Sequence, residues 1–145
     1  MRQPYLMATS QQLKDLALLR LREAEALFAA DLYDGAKYLS GYVVELALKA
    51  RVCRILDVDE YPEKGALKRV YAVHDLDQLL LLAGLRKAVD PTNKPLFDNW
   101  STAALWKPER RYDAAGTVTR ADAEDILNAI RDTKNGVLTW IKTLW

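Results

Sequence analysis

Few residues in this chain are equipped for chemistry. His74 is the sole histidine, and Arg69 precedes it with four residues between, in the string "KRVYAVHDLDQ". An imidazole that moves a proton, near a guanidinium that holds a phosphate, supplies what metal-free RNA cleavage needs. The 2′-hydroxyl must lose a proton, and the charge on the phosphorane must be stabilised. The plainer role for a histidine at a loop-to-helix junction is to hydrogen bond the loop and start the helix. The residues leave both roles open.

Two further groups carry charge in unusual settings. Glu45 and Lys49 stand four apart in "YLSGYVVELALKARVCRIL", residues 38–56, where most other positions are apolar. Glu before Lys at this spacing suits an ion pair along one helix face. On a surface such a pair contributes little, whereas partly buried charges need further partners because desolvation is costly. The segment "LWKPERRYD", residues 105–113, sets Lys107, Arg110 and Arg111 beside Trp106 and Tyr112. Arginines among aromatic rings suit phosphate clamping and base stacking. Alternatively the rings pin the segment to the core while an arginine meets a core carboxylate.

The elements that position these groups read as helices throughout. Residues 11–30 place Leu13, Leu16, Ala17, Leu21, Ala24, Leu27 and Phe28 on one broad face, with Ser10 as the expected N-cap. Asp31–Gly35 breaks the pattern and predicts a short link to an antiparallel neighbour. Residues 36–56 are apolar on two faces, with the stripe Tyr38, Tyr42, Glu45 and Lys49 between them, which predicts a central helix. Residues 57–73 read as a loop with a short turn. A helix resumes at 75–83, and a short one falls near 96–105 within the irregular stretch 90–118. Thr119 and Asp122 form a capping-box pattern ahead of a final helix that runs to residue 145, interrupted at Gly136. No segment alternates as a strand would. The fold class expected is all-α, a four- to five-helix up-and-down bundle forming one domain over residues 1–145.

Composition narrows the partners. Twenty-one basic residues oppose 20 acidic ones, giving a net charge of +1, so any basic surface must be assembled by folding. One cysteine, Cys53, lies in the apolar helix and reads as a buried thiol; with one Cys and one His, a protein zinc site is nearly excluded, and no metal or cofactor is expected. Neither a secretory signal nor an apolar run long enough to span a bilayer is visible, which points to a cytoplasmic protein that makes no use of a membrane. The four tryptophans, Trp100, Trp106, Trp140 and Trp145, serve either the core or a protein interface.

Three strings in order, "GAKYLSGYVVELALKARV", "VHDLDQLL" and "PERRYD", resemble the HEPN domain family of small helical proteins. The resemblance covers residues 10–145 and rests on Glu45-Leu-Ala-Leu-Lys-Ala50, His74-Asp-Leu76 and Arg111-Tyr112. It implies a homodimer, often paired with a minimal nucleotidyltransferase as a toxin–antitoxin or defence system. Many members are metal-independent endoribonucleases with an Arg and a His a few residues apart, as Arg69 and His74 are. In those enzymes a polar residue usually follows the Arg; Val70 follows it here, and His74 opens the third helix, as in the branch regarded as binding nucleotide or substrate.

Three functions are therefore expected in order: a module that binds nucleotide or RNA and partners a nucleotidyltransferase, an endoribonuclease toxin, and a helical adaptor. The binding module would use Glu45, Lys49, His74, Arg110 and Arg111. The nuclease would use His74 as acid–base, with Arg69 or Arg111 holding the phosphate. The geometric expectation is that Glu45 pairs first with Arg111, with Lys49 and His74 flanking.

Overall fold

One helix organises the chain. The computed structural model describes residues 7–145, and among them the fold is all-α, with seven α-helices and a single antiparallel bridge, Thr9 to Glu60. Helix α1 spans Ser10–Ala29 and α2 spans Tyr33–Leu56. Helix α2 buries residues around its whole circumference, including Val43, Val44, Ala47, Leu48, Val52 and Cys53, and packs against α1 and the later helices. This is the central helix that the two apolar faces predict.

The cap of α1 is Thr9, one residue ahead of the expected Ser10. Its hydroxyl accepts from the Gln12 amide at 3.1 Å, and the Gln12 side chain accepts from the Thr9 amide at 2.9 Å. Gln12 sits three residues after Thr9, the spacing that makes the capping reciprocal. The link to α2 is shorter than expected because Asp34 and Gly35 already belong to α2. The two helices run antiparallel: Ser10 donates its amide to Asp59 and Tyr61 donates its own to Ala8, which joins the start of α1 to the exit of α2.

After α2, a 3-10 turn at Gly65–Leu67 leads into α3, Lys68–Tyr71. Helix α4, Leu76–Leu82, is capped by Asp75 and buries Leu76, Leu79 and Leu80 against α2. Helix α5, Lys94–Ala104, is followed by a 3-10 turn, Pro108–Tyr112. Helix α6, Arg120–Arg131, carries the expected capping box between Thr119 and Asp122.

The final helix is in fact two, α6 and α7, the latter spanning Val137–Lys142. The Asp132 carboxylate accepts the amides of Lys134 and Asn135 at 3.1 and 2.6 Å, closing a turn that competes with the helix. Gly136 completes it, since a Cβ there would meet the carbonyl oxygens of Asp132 and Ile130. Four helices exceed ten residues, at 20, 24, 11 and 12, and form the bundle; α4 and α7 pack against α2, while α3 buries no residue. No helix among the described residues is long and apolar enough to cross a membrane.

Candidate functional site

Glu45 is buried in the middle of α2, its side chain only 4% exposed, and both its oxygens are engaged. Oε1 lies 2.9 Å from His74 Nδ1, and Oε2 lies 3.5 Å from Lys49 Nζ. Lys49 is buried as well. Its ammonium reaches Glu63 at 4.0 Å and sits 5.1 Å from the centre of the Tyr61 ring. The Tyr61 hydroxyl donates to the Tyr71 carbonyl at 2.6 Å, and burial pushes the phenol well above its ordinary range. Two charges thus lie inside the bundle, each with partners, as buried charges require.

His74 is held between that network and α4. Asp75, the next residue, caps α4 by accepting the Gln78 amide at 2.9 Å, which sets where the chain turns. The imidazole itself is 57% exposed, so only its Nδ1 side faces the protein interior. An ionised Glu45 accepts a hydrogen bond from Nδ1–H, and a neutral imidazole in that tautomer leaves Nε2 as a base facing solvent. A cationic imidazole presents Nε2–H as a donor instead. The arrangement therefore suits either proton transfer or capture of a phosphate oxygen at one atom.

Arg111 does not join Glu45, contrary to the sequence expectation. It lies on the exposed 3-10 turn, where Nη2 donates to the Tyr112 hydroxyl at 3.0 Å and the guanidinium stacks on that ring at 4.7 Å. Its other neighbours are Tyr38 and Tyr42, whose hydroxyls are 3.0 Å apart. Tyr42 is the link between the two regions, sensing both Glu45 and Arg111, and burial together with the Tyr38 hydrogen bond pushes its pKa up to about 12. The physical reason for the difference is occupancy. His74 and Lys49 saturate the Glu45 carboxylate, and aromatic side chains fill the space between α2 and the 105–113 segment.

That segment closes a cleft of about 500 Å³ against the first turns of α2. Lys37, Tyr38, Trp106, Arg110 and Arg111 line it. Trp106 is buried, donates its indole N–H to the Tyr38 carbonyl at 3.0 Å, and meets the Tyr42 ring edge-on at 4.9 Å. Its seat exists because residue 41 is glycine; a Cβ there would fall inside the indole. The Asp34 carboxylate holds the far end by accepting the amides of Gly116 and Val118 at 2.7 and 3.1 Å.

The remaining expected residues lie apart. Arg69 is exposed on α3, and among the described residues no hydrogen bond or ion pair joins it to His74. Arg110 faces Asp113 at 3.6 Å, and Lys107 reaches Asp75 at 3.2 Å. Sequence reasoning misses Asp34, Lys37 and Gly41; Lys37 and Gly41 lie in the string that begins at Gly35, where the small-residue pair Ser40-Gly41 is the one local sign of a close neighbour, and Asp34 falls in the Asp31–Gly35 break just before it. Among the described residues no group of three or more His, Cys, Asp or Glu could hold a metal ion. Compared with family models, curated proteins and solved structures, the chain matches none.

Proposed function

We propose that this chain is a HEPN-like module that binds RNA or nucleotide phosphates through His74, works as a homodimer, and serves a toxin–antitoxin or defence pair with a nucleotidyltransferase as its partner protein. The observation that carries the binding half is the hydrogen bond from His74 to buried Glu45, itself anchored by Lys49. A surface imidazole held from behind by a carboxylate presents one nitrogen outward in a fixed direction, the geometry that recognition of a phosphate oxygen calls for. The partner class is supported by the resemblance of the three strings alone.

The test is binding of a short fluorescent RNA to the purified chain, read as anisotropy. Affinity should fall steeply between about 50 and 200 mM salt, as phosphate contacts require. His74→Ala should weaken it about tenfold or more, on the scale of a charge-assisted hydrogen bond. Equal affinity for wild type and His74→Ala would overturn the assignment.

A second reading, the endoribonuclease, is favoured by the same dyad, since Nε2 of a Glu-held imidazole is also a general base. In that case the chain cleaves RNA in EDTA, and His74→Ala abolishes cleavage. Arg69 or Arg111 would have to hold the phosphate. Neither is in contact with His74 within one chain, which is why binding is placed first.

A further inference from the structure

The cleft between the start of α2 and residues 106–118 is separate from His74, and its charges are unevenly satisfied. Three of its lining residues are carboxylates, and each is occupied within the protein. Asp34 accepts two backbone amides, Asp122 belongs to the capping box of α6, and Asp113 faces Arg110. The cations are less committed. Lys37 lies in the field of Asp122, and among the described residues Arg111 meets phenols rather than a carboxylate: it donates to the Tyr112 hydroxyl, stacks on that ring and lies beside Tyr38. Each carboxylate thus has its partners and Arg110 is paired, while among the described residues Lys37 and Arg111 form no ion pair with a carboxylate, so these two cations are the ones left to receive an anion.

Size and rigidity narrow the anion. About 500 Å³ is within the usual range for a small-molecule site. Apolar and aromatic surface from Trp106, Tyr38 and Val118 lines the recess beside the cations. The walls are built in advance, by Trp106 seated over Gly41 and by Asp34 stapled to Gly116 and Val118, so little ordering cost falls on a ligand.

We propose that this cleft binds a small phosphate monoester with a flat ring system, of nucleoside-monophosphate size, with the phosphate held by Lys37 and Arg111 and the ring system lying against Tyr38 and the rim of Trp106. The proposal does not depend on His74 binding RNA. It gives the chain a second ligand site at the other end of α2.

The test is calorimetric titration of the full chain at low salt with adenosine 5′-monophosphate, and separately with adenosine and with inorganic phosphate. The monophosphate should bind saturably and more tightly than either fragment. Lys37→Ala and Arg111→Ala should each weaken it about tenfold, the size expected for one charge-assisted contact, while Arg111→Lys keeps part of the affinity. Circular dichroism confirms that the variants fold; both residues are at the surface of the cleft. Lys37→Ala should leave the RNA anisotropy titration unchanged, which separates this site from the one at His74. Absence of saturable binding, equal binding of adenosine, or affinity unmoved by both alanine substitutions would overturn the proposal. So would parallel loss of RNA binding in Lys37→Ala, because the cleft would then be part of the RNA surface.

Discussion

The two halves of α2 treat charge in opposite ways. Toward its C-terminal half, Glu45 and Lys49 are sealed in the bundle, and their network meets water mainly at His74 and, less, at Glu63. Toward its N-terminal end, Lys37 and Tyr38 line an open cleft with Arg110 and Arg111, and water reaches the charges freely. The dry half fixes one imidazole in one orientation at a cost in desolvation. The wet half keeps cations free to exchange solvent for a ligand. Stability should therefore be concentrated in the first region and affinity in the second, and substitutions can separate the two.

The largest effect is expected from Glu45→Ala. It leaves the buried Lys49 ammonium with only the longer contact to Glu63 and the face of Tyr61, and it frees His74. Removing one partner of a buried ion pair typically costs about 3–5 kcal/mol. Urea denaturation should show a loss of that order, and replacing both residues, Glu45→Leu with Lys49→Met, should recover much of it because no charge is stranded. If Glu45→Ala changes the midpoint no more than a surface substitution would, the network is not dry, and the contrast between the two halves fails.

Gly41→Ala comes next and strikes the wall between the regions. A methyl group there would expel Trp106 from α2, along with its hydrogen bond to the Tyr38 carbonyl and its contact with Tyr42. Overpacking of this kind costs about 1–3 kcal/mol. The displaced indole should become solvent-exposed, shifting its fluorescence to the red, and the cleft should lose its ligand. Trp106→Ala combined with Gly41→Ala should cost less than the sum of the two, since the clash needs both.

How much of this was legible beforehand depends on whether a residue's partner is local. The central position of α2, the capping box at Thr119 and the burial of Cys53 follow from periodicity and spacing within one segment, and all appear in the structure. Glu45 was recognisable as anomalous because a charge on an otherwise apolar helix must find partners. Which partners it finds was not legible. Lys49 is one turn away and visible, but the choice of His74 over Arg111 depends on how α4 and the 105–113 segment pack, which is tertiary. Gly41 shows the same limit: its lack of a side chain matters only because Trp106, far along the chain, lands on it. The break at Asp132–Gly136 is half legible: Gly136 interrupts the apolar stripe in the sequence, but the Asp132 carboxylate turn that ends α6 leaves no mark in the periodicity.

The smallest effect is the one that joins the two regions. Asp75 follows His74, caps α4 through the Gln78 amide, and takes Lys107 of the 105–113 segment on its other oxygen at 3.2 Å. The Gln78 hydrogen bond first, and then Lys107, hold its carboxyl below the ordinary aspartate range. A folded-state pKa that is depressed gives stability that is present above the unfolded value and lost as pH falls through the folded one. Asp75→Ala should cost about 1 kcal/mol at neutral pH, the usual value of an N-cap, and the difference from wild type should vanish in acid once the wild-type carboxyl is protonated below its folded pKa. Denaturation midpoints compared at neutral pH and at successively lower pH check the sign. The loss should be accompanied by weaker RNA binding, because His74 loses the helix start that positions it, while monophosphate binding in the cleft, held by Asp34 and Trp106 rather than by Lys107, should persist. Were the monophosphate lost as well, the joint at Asp75 would be rigid enough to make one site of two, and the opposition between the dry and wet halves of α2 would have to be given up.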